Sequence, residues 1–142
     1  MKKIDINNIS ILTDSTIRSA MQAIGRGGLG VAFVLSQNGA LKSILTDGDI
    51  RRALLSGFGL QSSIAIIETS NPVVASIEDS VAQISKKFND TIRIIPFIAD
   101  KICNELEFYF KLMFLKILVD KVYTSNEALC FITVIEHYDV TH

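Results

Sequence analysis

Residues 43–55 read Ser43-Ile44-Leu45-Thr46-Asp47-Gly48-Asp49-Ile50-Arg51-Arg52-Ala53-Leu54-Leu55, and the chain changes character in the middle of them. Residues 41–46 suit a strand, while Ile50, Ala53 and Leu54 recur at helical spacing. A strand that ends on threonine and hands over to a helix beginning Asp-Gly-Asp exposes first-turn N–H groups and the positive end of the helix dipole, which suits a phosphate. Thr46 offers a hydroxyl there, and the carboxylate of Asp49 can accept two hydrogen bonds from vicinal ribose hydroxyls. The same Thr-x-x-Asp spacing is also close to a capping box, in which both side chains serve only the helix's own donors. The spacing is compatible with either role.

Upstream, the pattern predicts a compact β-α-β-β-α unit. Ile9 and Ile11 alternate with Ser10 as a short strand. Asp14-Ser15-Thr16 then offers caps for a helix whose apolar positions are Ile17, Ala20, Met21 and Ile24. The glycines between 25 and 28 mark its end. Residues 30–35 form a continuous apolar run, and Gln37-Asn38-Gly39 supplies hairpin-turn chemistry before the return strand at 41–46. Gly57 and Gly59 close the second helix.

A second copy of this pattern starts after Asn71-Pro72. Val73 and Ala75 stand to Ile9 and Ile11 at an offset of 64, and Ser80-Val81 stands to Thr16-Ile17 at the same offset. A helix is expected from 80 to 88, with Val81, Ile84 and Phe88 on one face, and a strand over 94–99, aligned with 31–36 at an offset of 63. Internal repetition of this kind predicts two units sharing one core. The repeat fades after Asp100, where no counterpart of the Asn-Gly turn or of the following strand occurs.

Composition excludes several classes. Lys plus Arg is 14 and Asp plus Glu 15, for a net charge of −1 without like-charge blocks, so the chain lacks the basic surface that drives nucleic-acid binding. Mean hydropathy is +0.36. The most apolar stretch, 108–119, nevertheless carries Lys111 and Lys116 and falls short of the roughly 20 residues a bilayer requires, so no membrane association is expected. Met-Lys-Lys opens the chain, but Asp5, Asn7 and Asn8 interrupt any apolar signal core, which points to a cytoplasmic protein with reduced thiols. Cys103 and Cys130 form no CxxC or CxxH pair, so zinc is not expected. Walker loops, paired carboxylates and nucleophile–base pairs are absent, and His137 has no acidic or nucleophilic neighbour at catalytic spacing, so catalysis is not expected.

The stretch 9–55 resembles a CBS domain, a small module that occurs in pairs and often binds adenosine-containing ligands. Gly27-Gly28-Leu29-Gly30-Val31-Ala32-Phe33-Val34, followed by residues 46–55, is similar to the CBS pair that precedes the catalytic domain of some bacterial sugar nucleotidyltransferases. The resemblance implies a mixed α/β fold of tandem β-α-β-β-α repeats. It also implies a regulatory module for AMP, ADP, ATP or S-adenosylmethionine, a homodimer, and a nucleotidyltransferase partner. It assigns phosphate contact to Thr46, ribose contact to Asp49, and base packing to Val31 and Ala32. Phe33 departs from the proline many members carry, and a ring there would narrow the cleft. Arg93 occupies a position where members often carry a basic residue and would reach a phosphate across the pair, although a solvated arginine explains it equally. Arg51 and Arg52 are similarly read either as phosphate-neutralising or as solvated first-turn arginines.

In the second repeat the positions of Thr46 and Asp49 fall on Tyr109 and Leu112, and leucine accepts no hydrogen bond. One intact site per chain is therefore expected, and a scaffold or oligomerisation module with an empty site is the rival reading. The organisation expected is a first repeat over 1–68, the start of a second over 69–100, and a divergent apolar segment over 101–142. That last segment holds seven of the eleven aromatics and no glycine. It either completes the second sheet, buries itself in another subunit, or marks a shortened or frame-altered form of a longer enzyme.

Overall fold

The computed structural model describes residues 6–69, 71–76, 78–89, 94–98 and 134–135. The chain divides into two compact units, one carried by Met1–Pro72 and the other by Val73–Tyr138.

The first unit begins with a one-turn helix α1 (Ile6–Ile9) and the strand β1 (Ser10–Leu12). Ile9, expected in the strand, belongs to the helix and is fully buried. Helix α2 (Ile17–Gly27) is capped by Thr16, whose side chain accepts from the Ser19 N–H. It ends on Gly28 at φ 66°, whose N–H reaches back to the Ile24 carbonyl. A left-handed residue closing the last turn in this way favours glycine, since a Cβ would crowd the carbonyl. The buried face of α2 is Ile17, Ala20 and Ala23; Met21, expected inside, is 42% exposed. Helical geometry explains the difference. The stripe is centred on Ala20, and the next residue is rotated about 100° away from it.

Strands β2 (Val31–Leu35) and β3 (Leu41–Thr46) form the expected hairpin. Its turn is held by Ser36 N–H to Ala40 O and Gly39 N–H to Ser36 O, with Gly39 at φ 87°. The sheet order is β1-β2-β3, with β1 parallel and β3 antiparallel to β2. As the central strand, β2 buries Val31, Ala32, Phe33 and Val34 on both faces, which is why its sequence is continuously apolar rather than alternating. Helix α3 (Asp47–Leu55) follows β3 without a linker. It closes with Gly57 N–H to Leu54 O and Phe58 N–H to Ala53 O, Gly57 being at φ 95°, the paired pattern of a Schellman ending. Ile11, Ala32, Val34 and Leu45 from the sheet meet Ile17, Ala20, Ala23, Ile50 and Ala53 from the helices. Ile64, from a 3-10 turn (Ile64–Ile66), joins the same core.

The second unit repeats the opening of the first. Strand β4 (Ala75–Ser76), helix α4 (Val81–Lys87) and strand β5 (Phe97–Ile98) come in the order of β1, α2 and β2. Both strands are shorter than expected: Val73 lies outside β4, and Ile94 makes only an isolated bridge ahead of β5. Ala75 pairs with Phe97 as Ile11 pairs with Val34, the same register at the offsets of 64 and 63. The strand-to-helix turns share a reciprocal pair of hydrogen bonds. Leu12 N–H donates to Ser15 Oγ and Ser15 N–H to Leu12 O; Ser76 N–H donates to Asp79 Oδ2 and Asp79 N–H to Ser76 O. Ser80 caps α4 as Thr16 caps α2, and completes a box with Gln83. Ala75, Ile84, Phe88 and Ile95 are buried.

The third strand breaks the repeat. Where β3 runs antiparallel to β2, strand β6 (Val134–Ile135) runs parallel to β5. Two residues of the apolar C-terminal segment therefore pair into the second sheet.

Candidate functional site

The β2–β3 register sets Val31 directly opposite Thr46, and Gly30 O accepts from the Asp47 N–H at 3.0 Å. The end of the hairpin thus holds the start of α3 in place. Thr46 is the N-cap, with extended backbone at φ −98°, ψ 162°. Its Oγ1 accepts from the Asp49 N–H at 3.2 Å, and Asp49 Oδ2 accepts in return from the Thr46 N–H at 2.8 Å and the Thr46 hydroxyl at 2.9 Å. Of the two roles compatible with Thr-x-x-Asp, this is the reciprocal capping box. The other oxygen of Asp49 accepts from the Arg52 guanidinium, and Asp47 is paired with Arg51 at 2.8 Å. Both acids stand in the first turn, where the helix dipole favours negative charge, and each is balanced by an arginine one turn along.

Three of the residues singled out in the sequence, Val31, Thr46 and Asp49, are thus brought together at one corner. Ala32 pairs with Leu45 and its side chain is fully buried in the core between sheet and helices, so a base can meet residue 32 only through its main chain. Phe33 is fully buried. Arg93, Tyr109, Leu112, His137 and both cysteines lie outside the described residues. The partner missed in the sequence is Arg52. Its spacing of three residues from Asp49 was a signal, but that spacing does not say which of two arginines takes which acid.

The amide of Asp47 is taken by Gly30 and that of Asp49 by Thr46, while Gly48, in the same turn, has no helical carbonyl behind it. A Cβ built on Gly48 would stand 3.6 Å from both Thr46 Oγ1 and Arg52 Nη1. The guanidinium therefore lies over the first turn. Among the described residues no cluster of three or more His, Cys, Asp or Glu side chains could hold a metal, and no helix is long and apolar enough to cross a membrane.

No protein-family model matches the chain. A segment of 66 residues, 46% of the chain, is 35% identical to an uncharacterised protein of Helicobacter pylori, and it makes up 20% of that protein. A segment of 51 residues, 36% of the chain, is 39% identical to the arabinose 5-phosphate isomerase KdsD of Pseudomonas aeruginosa and makes up 16% of it. The match thus spans a fifth or less of either relative's length. Among solved structures, a CBS domain protein from Pyrobaculum aerophilum complexed with AMP superposes with a TM-score of 0.52 at 19% identity, covering 61% of this chain and 65% of that one. A CBS domain pair/ACT domain protein from Thermotoga maritima gives 0.55 at 14%, covering 78% and 92%. The cytosolic domain of the Mg2+ channel MgtE in complex with ATP gives 0.54 at 13%, covering 68% and 39%. The fold is that of the CBS-domain proteins, as the resemblance of residues 9–55 implies.

Proposed function

We propose that the chain is a regulatory, non-catalytic module that binds an adenine nucleotide at the corner where β2, β3 and α3 meet. One observation carries this reading: the register sets Val31 against Thr46 and places Asp49 one turn along, so an apolar side chain, a hydroxyl and a carboxylate converge on a helix N-terminus. Two solved proteins of this fold are complexes with AMP and with ATP, which supports adenine as the base. In the bound state the phosphate sits at the first turn of α3 beside Thr46, Asp49 meets the ribose, and Val31 with the main chain of Ala32 meets the base.

Such a module works by differential affinity, since the ligand stabilises the arrangement in which its contacts are made. We place it in the cytoplasm as a homodimer. The likeness of one segment to a sugar-phosphate isomerase favours service to an enzyme of sugar phosphates, a sugar nucleotidyltransferase being the partner that the sequence resemblance implies.

A scaffold with an empty site is the second reading, favoured by one specific feature: both oxygens of Asp49 already have partners within α3 and its cap. Titration calorimetry with AMP, ADP, ATP and S-adenosylmethionine separates the two. Saturable binding by the wild type that is lost in Asp49→Ala supports the sensor. Absence of binding to a folded wild type leaves the scaffold.

A further inference from the structure

We infer that Arg52 is a displaceable plug on Asp49, so that a ribose enters the corner only by exchanging with the guanidinium. This rests on the nucleotide-binding reading above and concerns its control. Asp49 Oδ2 is committed to the cap by two hydrogen bonds from Thr46, at 2.8 and 2.9 Å, and giving them up would undo the start of the helix. Only Oδ1 remains to receive a diol, and Oδ1 is the atom that Arg52 holds.

The two partners are unequal in a way that decides which one yields. The Asp49 side chain is 17% exposed and pinned at its other oxygen, whereas that of Arg52 is 73% exposed and reaches water by rotation of its own torsions. An exposed arginine gives up an ion pair of this kind at small cost. The ligand class follows from the exchange: a vicinal diol that donates two hydrogen bonds replaces a guanidinium that also donates, so the carboxylate keeps its acceptor role. A 2′-deoxyribose cannot make the replacement in full. Arg51 serves as an internal control, because its pair with Asp47 has the same charge and lies one residue away, but involves no atom of the cap.

The test compares wild type, Arg52→Gln and Arg51→Gln as full chains, each checked for native circular dichroism, in titrations with adenosine, which carries the diol without a phosphate, and with AMP. The plug predicts that Arg52→Gln binds adenosine about twofold more tightly than wild type, the gain corresponding to an exposed ion pair within one helix, and that Arg51→Gln matches wild type. It also predicts that adenosine binding by the wild type tightens between low salt and about 0.5 M salt, where exposed pairs are screened. The inference is overturned if wild type and Arg52→Gln bind adenosine equally, or if Arg51→Gln shows the same gain; nucleotide binding itself then still stands. If none of the three proteins binds adenosine or AMP, the nucleotide-binding reading falls and the plug with it.

Discussion

Replacing Asp49 by alanine tests the corner without any ligand. The substitution removes the acceptor of the Thr46 N–H at 2.8 Å and of the Thr46 hydroxyl at 2.9 Å, and it leaves Arg52 without its partner. Loss of a cap interaction costs about 1 kcal/mol. Loss of a first-turn negative charge adds about 0.3–1 kcal/mol, and the exposed Arg52 pair adds no more than a few tenths. Alanine's better helix propensity returns roughly 0.5 kcal/mol. The expected net loss is about 1–2 kcal/mol, a fall of roughly 0.5–1 M in the urea midpoint at an ordinary slope of about 2 kcal/mol per molar. Thr46→Ala removes the other half of the box, because its Oγ1 accepts from the Asp49 N–H at 3.2 Å, and is expected to cost a similar amount. Since each side chain serves the other's backbone, the double variant should lose at least 0.5 kcal/mol less than the sum of the singles, about the smallest coupling seen between contacting residues. Urea unfolding of the four proteins at constant slope measures this directly. Strict additivity, or an Asp49→Ala midpoint equal to wild type, would refute the reciprocal box and leave the carboxylate free for another task.

Three further outcomes are expected. Gly27→Ala places a Cβ 2.2 Å from Ile9 Cγ2, and Ile9 is fully buried, so it should destabilise by about 1–3 kcal/mol; the loss should shrink in an Ile9→Ala background, and persistence of the full loss there would contradict the clash. Leu45→Ala empties a site that is 1% exposed between sheet and helices and should cost about 2–5 kcal/mol by chemical denaturation; less than about 1 kcal/mol would mean that the core is not where it is described. Thr16→Ala and Ser80→Ala remove equivalent caps and should each weaken amide-exchange protection in the first turn of its own helix by about 1 kcal/mol; unchanged protection in that turn would deny that the side chain caps it.

Much of the first unit was legible because its signals are local. The Asn38-Gly39 turn, the glycine endings at Gly28 and Gly57 and the Thr46 cap each follow from a few neighbouring residues, and each occurs where the sequence places it. The repeat was legible for the same reason, since a cap and a strand residue at a constant offset are local features counted twice. Met21 was misplaced because helical spacing defines a stripe but not its centre, and only packing against β2 sets the rotation. Ile9 was misplaced because a single alternating pair of apolar residues cannot separate a strand from the end of a short helix.

By itself, the sequence determined the unit's alphabet: a strand, a capped helix, a hairpin, a second capped helix, and their partial return 64 residues later. Those features depend on backbone preferences and hydrogen bonds that span no more than a turn. Two matters were settled only by tertiary structure. One is the pairing of Val134–Ile135 with β5, since a two-residue strand has no period to detect and its partner lies more than 30 residues away in the chain. The other is the corner itself, because the bonds from Thr46 to Asp49 lie within one turn, whereas Val31 comes to stand opposite Thr46, and Gly30 O to accept from the Asp47 N–H, only through the β2–β3 register.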